Sequence, residues 1–419
     1  MQALQPQQIS LRKLRYLAYV GETGSVMNTA IRLDRDPSSV SKALAGLETQ
    51  LNITLFTHSN QVRSLTAAGE ILAARAKNAA LILSEPILQK SGRRSRKPAS
   101  TRLMSLSNNK LLMILALVQH TRQSDIGRST GLGVAGVAKS LRETEQQLGM
   151  SLVERQGKAG VIALPETLKL ANQIRLAFSE VHYALDELQS LHGVKRGTVT
   201  IGSSPFVRTS LLPRCIAAFR KEFPQVTVRT EEAPPAELSE KLANGSLDFI
   251  VGPLLARVDN PALECISLMR APIGLAVDSK HALASKKRIT KQHLESLEWV
   301  VPPEGSPSRV VFESLMKKHK VNIAPHRVET SSFAIRRGLL LETDHAAVSP
   351  VAEFENDILQ GHIKLLRPAF FSSSDWASFN NNSSVLKRKN ARYPQHVQSF
   401  LNITLSIASS FNDKLPLRN

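Results

Sequence analysis

One stretch occurs twice in this chain, and the recurrence limits what the first third can fold into. Val40-Ser-Lys42-Ala-Leu44-Ala-Gly-Leu-Glu48 overlays Val137-Ala-Lys139-Ser-Leu141-Arg-Glu-Thr-Glu145 at a shift of 97 residues. The same shift carries Leu51, Ile53 and Leu55 onto Leu148, Met150 and Leu152. The first copy begins with Asp36, whose carboxylate suits a helix N-cap, and Pro37, which suits the first helical position. Val40, Leu44 and Leu47 then form an apolar stripe at helical spacing. Opposite it lie Ser38, Ser39, Ser41 and Lys42, with no acid among them. Hydroxyls reach base edges or phosphates and a lysine offsets phosphate charge, so the face suits duplex DNA. An ordinary solvated helix face has the same composition, and the stretch alone leaves both readings open.

The surroundings of this helix narrow the choice. Leu11, Leu14, Leu17, Ala18 and Val20 predict an amphipathic helix that Gly21 and Gly24 break. Ser25 caps a second helix, Val26 to Leu33, with Ala30 and Leu33 inward. Three short helices with tight connections predict a helix-turn-helix. Leu51 to Phe56 alternates, Thr57 to Ser64 is a polar loop, and Leu65-Thr66 follows, which predicts a two-stranded wing. Ala67 to about Leu83 reads as a long helix.

The pattern resembles the LysR-type transcriptional regulators of bacteria. The residues that carry it are Leu14, Val20, Gly24-Ser25, Ala30, Leu33, Val40-Ser41, Leu47-Glu48, Leu51, Leu55-Phe56 and Leu65-Thr66-x-Ala68-Gly69. The resemblance implies that the third helix enters the major groove, the wing meets backbone and the long helix pairs two subunits. The family usually has Gln where this chain has Pro37, and Arg in the wing where this chain has His58. Base reading then falls on Ser38, Ser39, Ser41 and Lys42, with Arg63 as a replacement wing cation.

Lys90 to Ser100 is basic, rich in Gly, Ser and Pro, and reads as a linker, either a solvated charge run or an auxiliary phosphate contact. The second copy is degraded. Ala135, Gly136 and Ala138 replace the three serines, and Gly127, Gly131, Gly133 and Gly136 are expected to weaken its helices by about 1 kcal/mol each. Lys139 persists, Arg155 stands where the first copy has His58, and Lys158 follows. A scaffold or backbone binder fits this better than a second sequence reader. Pro165 to Leu191 carries Leu168, Ala171, Ile174, Leu176, Phe178, Val181, Leu185 and Leu188 at helical spacing. It resembles the family's dimerisation helix, with a helix packed on its own domain as the alternative.

Downstream, strands alternate with helices, which predicts βαβ units and a parallel sheet. G-x-V-x-I-G at 197–202, L-L-P at 211–213, F-x-x-x-F-P at 219–224 and L-D-x-x-V-G at 247–252 occur in order. They resemble the family's periplasmic-binding-protein-like effector domain. Glu329 to Pro350 is similar to the galactose-binding-protein-regulator branch. The chain should cross to a second subdomain near Ala271 and return at His362, with residues 371–391 a Ser/Asn-rich mobile insertion. Ligands in such sheets bind beyond the strand C-termini. Ser203 and Ser204 should face Thr330, Ser331 and Ser332 there, where hydroxyls suit a carboxylate or a sugar. A helix-capping role is an equal alternative for each serine.

The expected architecture is multidomain: α-rich winged helix-turn-helix domains plus an α/β periplasmic-binding-protein-like effector domain of two subdomains. The boundaries are 9–66 for the first winged unit, 67–103 for helix and linker, 104–164 for the second, degenerate unit and 165–193 for the dimerisation helix. The effector domain takes 196–419, divided into 196–270 with 362–419, and 271–361. Lys plus Arg number 54 against 35 Asp plus Glu, a net charge of +19 that favours a polyanionic partner. With four Tyr and two Trp, the chain lacks the aromatic platforms of a single-strand binder. Two cysteines, Cys215 and Cys265, give neither a disulfide framework nor a metal quartet, and Cys215 on an apolar helix face reads as core before redox sensor. No nucleophile elbow, P-loop or metal motif occurs, so the expectation is no catalysis, no cofactor and no metal. Expected partners are double-stranded DNA with an inverted repeat, a small-molecule effector, a homodimer or homotetramer and RNA polymerase, in the bacterial cytoplasm at the nucleoid and away from membrane. The competing classes are a low-specificity nucleoid-type DNA binder and a two-domain α/β enzyme.

Overall fold

The computed structural model describes residues 4–59, 62–85, 103–156, 160–191, 193, 195–253, 260–323 and 327–411. The chain divides into two compact units, residues 1–196 with 244–246, and 197–243 with 247–419. The basic linker at 90–100 and Lys158 lie outside the described residues.

The first unit starts with α1 (Leu11–Thr23), α2 (Val26–Leu33) and α3 (Pro37–Leu51). The antiparallel hairpin β1 (Phe56–Ser59) and β2 (Val62–Leu65) follows, then α4 (Ala67–Ser84). The same order recurs as α5 (Asn108–Gln119), α6 (Gln123–Thr130), α7 (Val134–Leu148), β3 (Val153–Arg155), β4 (Val161–Ala163) and α8 (Pro165–Ser190). Bounds of α2 and α6, and of α3 and α7, correspond residue for residue. The turns between them repeat too: Asp34 and Asn52 are left-handed helix caps in the first set, and Gly131 and Gly149 in the second. In both sets a glutamate closes the bend after the third helix. The Glu48 carboxylate accepts from the Leu55 amide at 2.8 Å, and that of Glu145 from the Leu152 amide at 2.8 Å.

Four expectations are corrected here. Gly21 does not break the first helix. It lies inside α1, where a Cβ would meet that of Ala73 at 3.2 Å, so the glycine permits close packing on α4. The left-handed stop is Gly24. Residues 51–55 are not in a strand, because Leu51 ends α3, Asn52 turns left-handed and the Leu55 amide goes to Glu48; of the expected segment only Phe56 joins the wing. The wing strands instead occupy part of the supposed polar loop. Gly131 and Gly133 do not weaken helices, since they are the C-cap of α6 and the N-cap of α7. Gly127 is inside α6, but a Cβ there would come within 2.5 Å of the Leu132 carbonyl oxygen, so close packing requires it.

The second unit is a mixed sheet with flanking helices. It comprises β5 (Gly197–Ser203), α9 (Pro205–Thr209), α10 (Leu211–Glu222), β6 (Val226–Glu231), α11 (Pro235–Ala243), β7 (Phe249–Pro253) and β8 (Leu263–Asp278). Then come α12 (Lys291–Glu295), β9 (Trp299–Val301), α13 (Pro307–Lys318), β10 (Arg327–Glu329), α14 (Phe333–Glu342) and β11 (Ala346–Pro350). The chain closes with α15 (Glu355–Leu359), β12 (Ile363–Leu365), α16 (Ser373–Ser378), β13 (Asn380–Arg388) and α17 (Gln395–Phe411). Strand order is β10-β9-β11-β8-β13-β7-β5-β6, with β12 also on β8. β5 is parallel to β6 and β7, and β9 to β10 and β11, as expected. β13 runs antiparallel to β7 and β8, and β11 and β12 antiparallel to β8.

β8 joins the two halves. Its pairing changes from β13 to β11 between Pro272 and Ile273, two residues from the expected crossing. The return is not at His362, because β12 pairs with Ala276–Asp278 at the far end of β8. β13 makes the return. The supposed mobile insertion at 371–391 is therefore α16 followed by a central strand. Its serines tolerate burial because Ser383 donates its hydroxyl to the Met269 carbonyl at 3.0 Å, beside a register shift between Ser383 and Ser384. Arg388 locks the strand's end, donating to the carbonyls of Leu242 at 3.1 Å and Leu247 at 2.5 Å.

Candidate nucleic-acid interface and ligand cleft

α3 presents its polar face outward because its apolar stripe has no slack. Val40, Leu44, Leu47 and Leu51 are buried, against α1, α2 and their neighbours. Ser38, Ser39 and Lys42 are exposed, and Ser41 is half-buried at the edge of the stripe. Asp36 caps the helix, accepting from the Ser39 amide at 3.3 Å. The Ser38 hydroxyl also donates to the Asp36 carboxylate. That bond, with the Ser39 and Ser38 amides, holds Asp36 below the usual carboxylate range against the opposing effect of burial. A hydroxyl that donates inward offers its lone pairs outward, so Ser38 suits a base amino group, adenine N6 or cytosine N4. The hairpin beside α4 is pinned by the Thr57–Ser64 hydroxyl bond at 2.6 Å and places His58 and Arg63 as register partners.

The equivalent face of α7 differs. Lys139 is exposed, while the three serine positions hold Ala135, Gly136 and Ala138. Gly133 caps this helix without a side-chain acceptor. Arg155 is exposed at the end of β3, opposite Val161. Cations therefore persist where hydroxyls are lost.

In the second unit, Ser203 ends β5 between its parallel neighbours, the position where open α/β sheets bind ligands. Its side chain is 1% exposed and its Oγ has no hydrogen-bond partner among the described residues. The same holds for the buried Ser204 Oγ, Ser210 Oγ, Arg208 Nε and Arg336 Nε. Buried donors without partners cost about 1–3 kcal/mol each, so a polar group that reached any of these atoms would be held there. Two of these residues, Arg208 and Arg336, belong to an ionic cluster around Glu353. Arg336 holds Glu353 at 2.9 Å, both nearly sealed from solvent, and the Ser349 hydroxyl donates to the same carboxylate. Burial pushes the Glu353 carboxyl up, while the charges of Arg336 and Arg208 and the Ser349 bond pull it back. Arg208 itself pairs with Glu232.

Thr330, Ser331 and Ser332 follow β10, at the corresponding strand end of the other half. The Thr330 oxygen accepts from the Ser332 amide at 3.0 Å, and the Ser332 oxygen caps α14 by accepting from Ile335 at 3.4 Å. Ser331 is exposed. No hydrogen bond joins these three to Ser203 or Ser204 among the described residues. Arg208, Ser210, Arg336, Ser349 and Glu353 went unread in the sequence. The signal was present: Glu353 interrupts the apolar run Val351-Ala352-Glu353-Phe354, and Arg336 follows Phe333-Ala-Ile335.

Cys215 is buried, and desolvation raises its thiol to about 11, which leaves it protonated and fits the core reading; Cys265 is exposed. Among the described residues no cluster of His, Cys, Asp or Glu could hold a metal ion, and no helix is long and apolar enough to cross a membrane.

Two parts of the chain match known families. Residues 192–406 match the LysR substrate binding domain, and residues 11–70 match the bacterial regulatory helix-turn-helix protein of the lysR family. The HTH-type transcriptional regulator GalR of Pseudomonas putida is 27% identical over 358 residues, covering 85% of this chain and 88% of that one. The HTH-type transcriptional regulator GbpR of Rhizobium radiobacter is 23% identical over 272 residues, covering 64% and 89%. Among solved structures, CbnR, a LysR family transcriptional regulator, is 16% identical with a TM-score of 0.49, covering 71% of this chain and 98% of that one.

Proposed function

Because this chain belongs to the LysR family of DNA-binding transcriptional regulators, with an effector-binding domain and no catalytic role, we propose the following division of labour among its residues. Ser38, Ser39, Ser41 and Lys42 on α3 read base edges in the major groove. His58 and Arg63 at the wing hold the adjacent backbone. The observation that carries this is the acid-free hydroxyl and lysine face of α3, held outward by a fully buried stripe. The second helix-helix-helix-hairpin set is a degenerate winged helix-turn-helix that grips phosphate through Lys139 and Arg155. Its support is the matched element order and the repeated glutamate-to-amide bond.

The effector is a small carboxylate carrying hydroxyls, in keeping with the sugar-like or carboxylate class expected of the cleft. The unpartnered Arg208 and Arg336 Nε groups favour the carboxylate, and Ser203, Ser204 and Ser210 suit its hydroxyls. Thr330, Ser331 and Ser332 line the opposite strand end. The likeness to GalR and GbpR supports the branch resemblance of the run Glu329–Pro350. Effector binding shifts the spacing of DNA-bound subunits in a homodimer or homotetramer, and through it contact with RNA polymerase, in the cytoplasm.

Footprinting tests the DNA reading. A protected site with base preference should vanish in Ser41→Ala/Lys42→Ala. Unchanged preference in that variant would mean that α3 is not the reader. Equal affinity for random duplex would make the protein a nucleoid-type binder, which its +19 charge would also serve.

A further inference from the structure

The long helices α4 and α8 pair with each other within one chain, and they do so antiparallel. Asn78 donates to Glu180 at 3.2 Å. Seven residues later in α4's direction and seven earlier in α8, the Glu85 carbonyl accepts from Gln173 at 3.0 Å. Between them Arg75 reaches two acids of α8, donating to Glu180 at 3.1 Å and to Glu187 at 3.0 Å, and its guanidinium lies 5.3 Å from the Tyr183 ring centre. Burial opposes the charge of Arg75, but Glu187 and Glu180 outweigh it and raise its pKa. Small and apolar residues are buried along both helices, among them Ala76 and Ala79 on α4 and Ala177 and Val181 on α8.

A second contact fixes the symmetry. The Leu11 amide donates to Asn108 at 3.2 Å, and these two residues occupy the same place in the two repeats, 97 residues apart. Asn108 also donates to the carbonyls of Gln7 at 2.8 Å and Ile9 at 2.6 Å. Such closeness of counterpart positions accords with a twofold relation between the repeats. Antiparallel pairing of equivalent helices has the same relation. The repeats are therefore related by rotation and not stacked in a row.

We propose that one chain is a complete two-headed DNA clamp, assembled in cis and functionally asymmetric: a single copy spans a two-part site, reading bases with the first head and holding only backbone with the second. This rests on the reading of α3 and α7 as the DNA-facing helices. The symmetric scaffold places equivalent surfaces as a pair, as two subunits do on a palindrome. The unequal side chains make the site that it prefers non-palindromic: hydroxyls and Lys42 on one head, alanines with Lys139 and Arg155 on the other.

Two readouts test the parts separately. In the full chain carrying Cys265→Ser, Asn78→Cys/Glu180→Cys is treated at high dilution with a short bismaleimide and run on a denaturing gel. The cis clamp predicts a shifted band at single-chain mass, absent from either single-cysteine variant. A band at double mass means that α4 pairs with α8 of a second copy and overturns the proposal, as does the absence of any cross-link. This step needs no DNA, so it stands or falls apart from the assignment of α3. On DNA, the cross-linked chain should give two separated protected stretches. Base changes in one should weaken binding about 10-fold, the size of a lost base contact, and in the other less than about 2-fold. Lys139→Ala/Arg155→Ala should lower the salt slope by about 2 while keeping base preference. One protected stretch, equal base sensitivity in both, or an unchanged slope would each overturn the asymmetry.

Discussion

The two helix-helix-helix-hairpin sets of the first unit share a backbone and differ in face. The buried stripe persists, and so does one bond from side chain to backbone. Glu48 and Glu145 make the same 2.8 Å bond to Leu55 and Leu152. Val40, Leu44 and Leu51 are matched by Val137, Leu141 and Leu148, all buried. Outward residues are replaced: Ser38, Ser39 and Ser41 by Ala135, Gly136 and Ala138, and the Asp36 cap by Gly133. The fold of such a unit resides in its buried stripe and its side-chain-to-backbone bonds. The exposed face is not needed for the fold, so it is free to differ between the two sets.

The comparison breaks most severely at the seam that both sets share. Arg75→Ala leaves Glu180 buried without its cation and should destabilise the first unit by about 3 kcal/mol, read as a drop in denaturant midpoint. A loss near zero would mean that the seam does not hold the sets together. A matched pair comes next. Glu48→Ala and Glu145→Ala each leave one amide unpaired and should each cost about 1–2 kcal/mol, equal within error. Unequal losses would show that the second set is held differently.

The caps sharpen the contrast. Asp36→Ala should lower the denaturant midpoint, whereas Gly133→Asp should raise it slightly, since Gly133 is extended and a Cβ there meets nothing within 4 Å. The Asp36 carboxyl is held low in the folded chain, so its contribution is present above the unfolded carboxylate pKa and fades as pH falls through the folded one. Acid titration of Asp36→Asn should lack that component, and an identical acid limb would retire the cap. The smallest effect concerns thiols. Cys265 should react rapidly with a disulfide reagent, while Cys215, buried and raised to about 11, reacts only on unfolding. Two fast thiols would contradict the packing of α10.

Helices of the first unit were legible because caps and apolar spacing act locally: Asp36-Pro37 and Ser25 each open a helix where expected, and α4 begins at Ala67 as read. The wing was displaced because Glu48, seven residues away, takes the Leu55 amide, a contact that no local pattern announces. β13 was unread for a similar reason. Its serines and asparagines look like loop, and only pairing with β7 and β8, far off in sequence, gives their hydroxyls partners. Ser203 and Ser204 lie at the end of β5, where the strand-end rule directed attention, whereas Arg208, Arg336 and Glu353 meet only when α9, α14 and the turn at Val351–Phe354 come together. Thr330 and Ser332 are engaged in local turns and caps, so their hydroxyls are less available than their spacing suggested.

The central claim is that α3 reads sequence and α7 does not. It is tested most directly by a competition of specific against random duplex, with Ser41→Ala/Lys42→Ala compared with Lys139→Ala/Arg155→Ala. The first variant should lose discrimination between the two duplexes, keeping only salt-sensitive binding. The second should bind both duplexes more weakly by the same factor, leaving discrimination intact. If discrimination survives the first variant and falls in the second, the two sets have been given each other's roles.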